Sequence, residues 1–197
     1  MRAPPRTSLV GIEAGTSGLK LLLAGFEMFP SLVKKLLVEK GIVDKDAKDL
    51  LAEQRWFPLE SWLAVHEVIY REMGPSAIMA IGTRMSENPH FPPGIRDIPS
   101  ALDALDIVFH RSHRKLGVVM YDQDTGQMAE GIGHVRTRHI PGRQRVDVTI
   151  DSPYACYVDL SILNGIAQKF ERTARVEHAL GDCRQRGDAS CTYTVTW

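Results

Sequence analysis

Residues Val146–Trp197 read VDVTIDSPYACYVDLSILNGIAQKFERTARVEHALGDCRQRGDASCTYTVTW, and the fold is decided here. Val146, Val148 and Ile150 alternate with Asp147, Thr149 and Asp151, the period of a strand with one buried face. Leu160, Ile162, Leu163, Ile166, Ala167 and Phe170 then recur at helical spacing, which predicts a helix through Arg172 with Asp159 as its cap. Arg175 to His178 and Thr192 to Trp197 are two further strands, joined by a loop that contains Gly187. All three cysteines of the chain, Cys156, Cys183 and Cys191, fall in this stretch, the last two in a C-x7-C spacing.

Working outward, Gly117 opens the β part. Val118 to Tyr121 reads as a strand, Asp122 to Gly126 as a turn, and a further strand ends near Gly133. The basic run from His134 to Arg145 carries Arg136, Arg138, Arg143 and Arg145 without the interleaved aromatics of a nucleic-acid groove, so it reads as a solvated loop. The C-terminal order is helix, β, β, helix, β, β.

Upstream lies a helical lobe. Phe29, Leu32, Val33, Leu36 and Leu37 mark a first helix and 44–54 a second, followed by an aromatic corner at 55–59. Glu60 to Met73 is a third helix and Ala77 to Glu87 a fourth. After the proline-rich loop 88–99, a fifth helix is capped by Ser100 and runs to His113. The expected class is α/β of the α+β kind, with an N-terminal helical lobe packed on a four-stranded antiparallel sheet. Residues 1–28 form an N-terminal extension. Residues 29–197 are expected to form a single domain, divided into lobe (29–115) and sheet core with cysteine cluster (116–197).

The chain has 197 residues, 44% of them hydrophobic and 24% charged, which suits a soluble globular domain. Lys+Arg and Asp+Glu both number 24, so no net field favours nucleic acid, and no nucleic-acid partner is expected. No apolar run reaches the roughly 18–20 residues of a membrane span, and the N-terminus lacks the pattern of a secretory signal. An odd number of cysteines then points to the reducing cytoplasm, where neighbouring thiols bind metal more often than they form disulfides.

Three thiols on loops at one end of a sheet can converge, and His178 at the end of the preceding strand offers a fourth donor. Cys156, Cys183, Cys191 and His178 would make a tetrahedral Zn2+ set, with Glu177 on the opposite side of its strand. The alternative is three small buried hydrophobes. No nucleophile elbow or metalloprotease motif is present, and Gly11, Gly15 and Gly18 do not form a dinucleotide fingerprint, so catalysis is not expected. Near the N-terminus, VGIEAGTSGLKLLL is similar to the phosphate hairpin of sugar-kinase and actin-like ATPases. Those enzymes need two large lobes, so a strand and turn is the expectation here.

The phrase PYACYVDLSILNGIAQKF…VEHALGDCRQRGDASCTYTVTW resembles the C-terminal core of the 4-vinyl-reductase domain family, which includes sensor domains of phenol-responsive transcription activators. Cys156, Gly165, Cys183, Gly187 and Cys191 match in order. The resemblance implies zinc beneath an aromatic-ligand pocket, held by the three cysteines and a glutamate three residues before the second. That position is Leu180 here, so the fourth ligand falls to His178 or Glu177. It also implies a sensory domain for a small hydrophobic or aromatic ligand, with Trp56, Phe57, Trp62, Phe91, Phe109 and Tyr154 as candidate pocket residues. Its signal would pass through a homodimer or a signalling partner.

The same superfamily contains haem–nitric-oxide sensors and TRAPP transport-particle subunits. LDALDIVFHRSHRKLG resembles the proximal-ligand helix of the haem sensors, with His110 near the ligand's place. Their Tyr-x-Ser-x-Arg propionate clamp aligns with Ile150, Ser152 and Tyr154. The alternatives are therefore a haem-based gas sensor and a ligand-free scaffolding subunit.

Overall fold

Residues 145–150 and 191–196 pair along their whole length, and the C-terminal half is built on that ladder. The structure is a computed structural model that describes residues 9–16, 30–43, 56–80 and 91–197. Strands β5 (Val135–His139), β6 (Arg145–Ile150), β7 (Arg175–His178) and β8 (Cys191–Thr196) form an antiparallel sheet in the order β5-β6-β8-β7. Val148 lies opposite Tyr193, and Ile150 opposite Cys191. The inward set of Val146, Val148, Ile150, Tyr193 and Val195 is buried against Leu163, Ile166 and Ala167 of helix α5 (Cys156–Phe170) and against α3 (Ile98–Asp103). Each such aliphatic side chain contributes roughly 1.5–3 kcal/mol by leaving water. The mixed α+β class expected from the sequence is present, and the C-terminal sheet follows the expected helix-β-β-helix-β-β order, with two short strands of a second sheet inserted ahead of its first strand.

The run 134–145 is corrected by the structure: its first part is strand β5, not a loop. Of the four arginines that made it look solvated, Arg136 and Arg138 are outward residues of this edge strand, while Arg143 lies in the turn and Arg145 begins β6. Arg136 pairs with Asp151 at 2.9 Å and Arg138 with Asp147 at 2.6 Å. Asp147 itself is buried on the far face of β6, held also by Arg145.

A second antiparallel sheet joins distant pieces of the chain. It has the order β2-β1-β3-β4, from β1 (Ile12–Gly15), β2 (Trp56–Pro58), β3 (His113–Lys115) and β4 (Val118–Val119). The strand expected at 118–121 is thus short and belongs to this sheet, not to the C-terminal one. Leu9, Ile12 and Ala14, in the stretch read as an N-terminal extension, are buried with Val33, Leu36 and Leu37 of α1 (Pro30–Glu39). Trp62, Val65 and Ile69 of α2 (Leu59–Met73) complete this first core. Leu32, expected on the buried face of α1, is exposed.

The cap of α3 is also corrected. Asp97, not Ser100, is the cap: its carboxylate accepts from the Ser100 amide while Ser100 reaches back to the Asp97 amide, a reciprocal capping box. Helix α4 (Leu105–Arg111) follows after a break at Ala104, so the fifth helix is two short ones. Asp159 does not cap α5, which begins three residues earlier at Cys156; it is a buried residue of the first turn. The helix expected over 44–54 and Phe29 lie outside the described residues. The fourth helix is described only over 75–80. Among the described residues no helix is long and apolar enough to cross a membrane.

Candidate functional site

The three cysteines converge. Cys156 opens α5, Cys183 precedes a single 3-10 turn (Arg184–Arg186), and Cys191 begins β8. The Sγ of Cys156 stands 3.2 Å from that of Cys191 and 3.6 Å from that of Cys183. His178, at the end of β7, joins them: one donor atom from each of the four lies within 4.8 Å of every other. Tetrahedral zinc with bonds of ~2.3 Å to sulfur sets its ligands ~3.8 Å apart, so the spacing suits an ion of that size.

The local chain explains why the donors meet. Gly187 has φ 98°, a conformation in which a Cβ is disfavoured, and it turns the chain back after the 3-10 turn. The Asp188 carboxylate accepts from the Cys183 amide at 2.7 Å and closes the loop. Nδ1 of His178 donates to the Ala179 carbonyl at 2.9 Å, so Nε2 carries the lone pair. That Nε2 is buried and has no hydrogen-bond partner among the described residues. Hydrogen bonding from Cys156 and from the Arg184 amide pulls the Cys191 thiol well below its ordinary range, and the Cys156 thiol is pushed up in turn. Leu180, where the resemblance implies a glutamate, is fully exposed and takes no part.

Arg184 ties this cluster to a cleft. Its guanidinium donates to the carbonyls of Ser152 and Tyr154, to the Ser152 hydroxyl and to the Asp159 carboxylate. Both members of the Arg184–Asp159 pair are buried. Burial pushes the Asp159 carboxyl up to about 7 against the opposing pull of Arg184. No local sequence pattern marks Arg184, and Asp159 is expected from the sequence to be a helix cap.

The cleft has a volume of about 970 Å³ and lies between the two sheets' halves, bordered by α2, by 130–136, by 151–157 and by the 184–189 loop. Such a volume is at the upper end for small-molecule sites. Of the aromatic residues proposed from sequence, Tyr154 lines it. Phe57 and Trp62 are buried in the first core with ring centroids 5.3 Å apart, and Phe109 packs on that core. Phe91 packs on the second core, and Trp56 lies under the Arg114 guanidinium at 5.1 Å.

The inner wall of the cleft holds His66, buried, with neither ring nitrogen hydrogen-bonded among the described residues. Its signal in the sequence was a histidine set in the apolar stripe Trp62, Val65, Ile69 of α2.

His110 sits elsewhere. It is wholly buried, its Nδ1 lies 2.8 Å from the Asp106 carbonyl, and its Nε2 has no hydrogen-bond partner among the described residues. The His134 ring, which lines the cleft, stacks on it with centroids 4.9 Å apart. Asp106, His110 and His134 also bring donor atoms within 4.8 Å of one another. The Asp106 carboxylate is shared by the His134 ring at 2.9 Å and the Val135 amide at 2.9 Å.

The α+β fold is shared with solved structures of H-NOX domains. The chain is similar to an H-NOX protein from S. oneidensis in the Fe(II)NO ligation state, with 15% identity and a TM-score of 0.62 over 91% of this chain and 96% of that chain. It is similar to an oxygen-binding H-NOX domain related to soluble guanylate cyclases, in its oxygen complex, with 13% identity and a TM-score of 0.59 over 91% of this chain and 90% of that chain. A third likeness is to a structure concerned with heme redox potential and protein-induced porphyrin distortion: 14% identity, TM-score 0.60, 98% of this chain and 99% of that chain. At these identities what is shared is the fold. No protein-family model matches the chain, and no curated protein matches it.

Proposed function

We propose that the chain is a small-molecule-binding sensory domain of the 4-vinyl-reductase type, in which a Cys3His zinc centre staples the cleft's floor. The observation that carries this reading is the meeting of Cys156, Cys183, Cys191 and His178 around one point, with a buried imidazole nitrogen that has no hydrogen-bond partner among the described residues. Bound zinc would supply folding energy and fix the loop that carries Arg184. The chain's own residues do the rest: Arg184 holds the 152–154 backbone that forms one wall, and Tyr154 presents its ring to the ligand. Three thiols kept reduced suit the cytoplasm. A hydrophobic or aromatic molecule is the ligand class, and a homodimer or a signalling partner would carry the output.

The test is elemental analysis of the purified protein beside its visible spectrum. One zinc per chain, lost in a Cys183→Ser/Cys191→Ser variant, is expected. Protein prepared without chelators that contains no metal would sink the zinc centre.

Haem is the second reading, favoured by the likeness to H-NOX structures and by the unpartnered Nε2 of His110. Of the donors present, His110 would hold the iron through its Nε2. The clamp positions carry Ile150, buried in the sheet, Ser152, occupied by Arg184, and Tyr154, bonded to His113. The fit is thus to the iron ligand and not to the propionates. A Soret band that disappears in a His110→Ala variant would establish this reading in place of the first.

A further inference from the structure

The buried wall of the cleft is apolar but for His66, the Ser152 hydroxyl, which accepts from Arg184, and the Tyr154 hydroxyl, which donates to His113. Leu9, Leu63, Ile78, Ile132 and Tyr154 are each no more than 9% exposed, and His66 among them is 4% exposed. The imidazole lies against Trp62 at 4.7 Å and Tyr154 at 5.8 Å between centroids, contacts that fix the ring but satisfy neither nitrogen. An imidazole buried without partners costs free energy on both its donor and its acceptor side, and proteins retain such a group where something outside the chain completes it. Burial holds its pKa down at about 4, so the ring is neutral near pH 7, with one N–H to give and one lone pair to receive.

Charge on the wall narrows the ligand. Lys115 is bonded to the Glu130 carbonyl at 2.7 Å, Arg136 to Asp151 at 2.9 Å, and Arg184 to Asp159. Arg136 and Arg184 are thus ion-paired, His134 is bonded to Asp106, and Lys115 is exposed to solvent, so a carboxylate or phosphate held at buried His66 would be desolvated with no free buried cation beside it among the described lining residues. An uncharged group faces no such penalty.

We infer that His66 is the specificity-determining residue of the cleft, and that it takes an apolar, drug-sized molecule bearing one uncharged hydrogen-bonding group, such as an alcohol, while refusing the corresponding acid. This rests on the reading of the cleft as a ligand site and adds to it the residue and the chemical class. The volume of about 970 Å³ belongs to a molecule of tens of heavy atoms rather than to a diatomic gas.

The experiment is isothermal titration calorimetry on the full chain with three matched probes: naphthalenemethanol, ethylnaphthalene and naphthoate. The alcohol binds about fivefold to tenfold more tightly than the hydrocarbon, as one buried hydrogen bond predicts, and naphthoate binds most weakly. His66→Leu brings the alcohol and the hydrocarbon to within about twofold, and His66→Gln retains part of the preference. Without ligand, His66→Leu unfolds at or above the wild-type temperature, since it removes two unsatisfied nitrogens. If His66→Leu keeps the alcohol preference, the role of His66 is overturned while the cleft remains a ligand site. If the wild type binds none of the probes, both fall. If His66→Leu unfolds several degrees lower, the nitrogens are satisfied within the protein and the inference is wrong.

Discussion

The backbone N–H of Arg184 lies 3.3 Å from the Sγ of Cys191, while the side chain of the same residue is ion-paired with Asp159 in α5. One residue therefore touches the thiol cluster through its main chain and the cleft wall through its guanidinium. Whatever fixes the sulfurs also fixes the 152–154 segment.

Arg184→Met leaves the Asp159 carboxyl buried with no cation beside it. Removing one partner of a buried pair costs about 3–5 kcal/mol, because the remaining charge has lost its compensation. Adding Asp159→Asn should restore at least half of that loss, since the uncompensated charge is then gone. Urea unfolding of the two variants and the double variant measures this; a loss under about 1 kcal/mol in Arg184→Met would show that the pair is solvated.

A second polar contact joins the two halves. The Tyr154 hydroxyl lies 2.8 Å from Nε2 of His113, whose Nδ1 donates to the Phe109 carbonyl at 2.8 Å. Nε2 is therefore the acceptor and Tyr154 the donor. Tyr154→Phe strands a buried nitrogen and should cost about 1–3 kcal/mol. In a double-mutant cycle with His113→Phe the two losses should fall short of adding, by about 1 kcal/mol; strict additivity would mean that the hydrogen bond contributes nothing.

Acid should destabilise the protein through its buried imidazoles. Burial lowers the pKa values of His66 and His113 from 6.5 to about 4 in the folded chain. The unfolded chain therefore binds more protons between those values, so stability is full above about pH 6.5 and falls as pH drops towards 4. At pH 5 the loss is on the order of 2 kcal/mol for each residue. His134 opposes this, because its pKa is raised by Asp106 and Glu130, which outweigh burial. Unfolding free energies at pH 7 and pH 5 test the sum. The pH 7-to-5 loss in His66→Leu should be about 2 kcal/mol smaller than in the wild type.

The ladder of β6 and β8 and the helix between them were legible because their periods are clean and both bury one face. Edge strand β5 was not, since Arg136 and Arg138 meet their aspartates only across the sheet, and no local pattern announces that. The second sheet was illegible for a different reason. Its strands are two to four residues long and come from residues 12–15, 56–58, 113–115 and 118–119, so nothing in any one segment specifies the pairing. The proximity of the thiols and His178 followed from loops at one end of a sheet. Arg184 and His66 did not, because each depends on partners brought together by tertiary packing.

The four donors of the thiol cluster all lie between Cys156 and Cys191, whereas the cleft wall draws on residues from Leu9 to Ala189. The anchor and the inner-wall residue His66 are thus written in separate stretches of the chain. Relatives could keep the anchor's C-terminal text unaltered while α2 and the first sheet diverge. Variation in ligand preference across such a lineage would then be concentrated in the half of the molecule that contributes no sulfur.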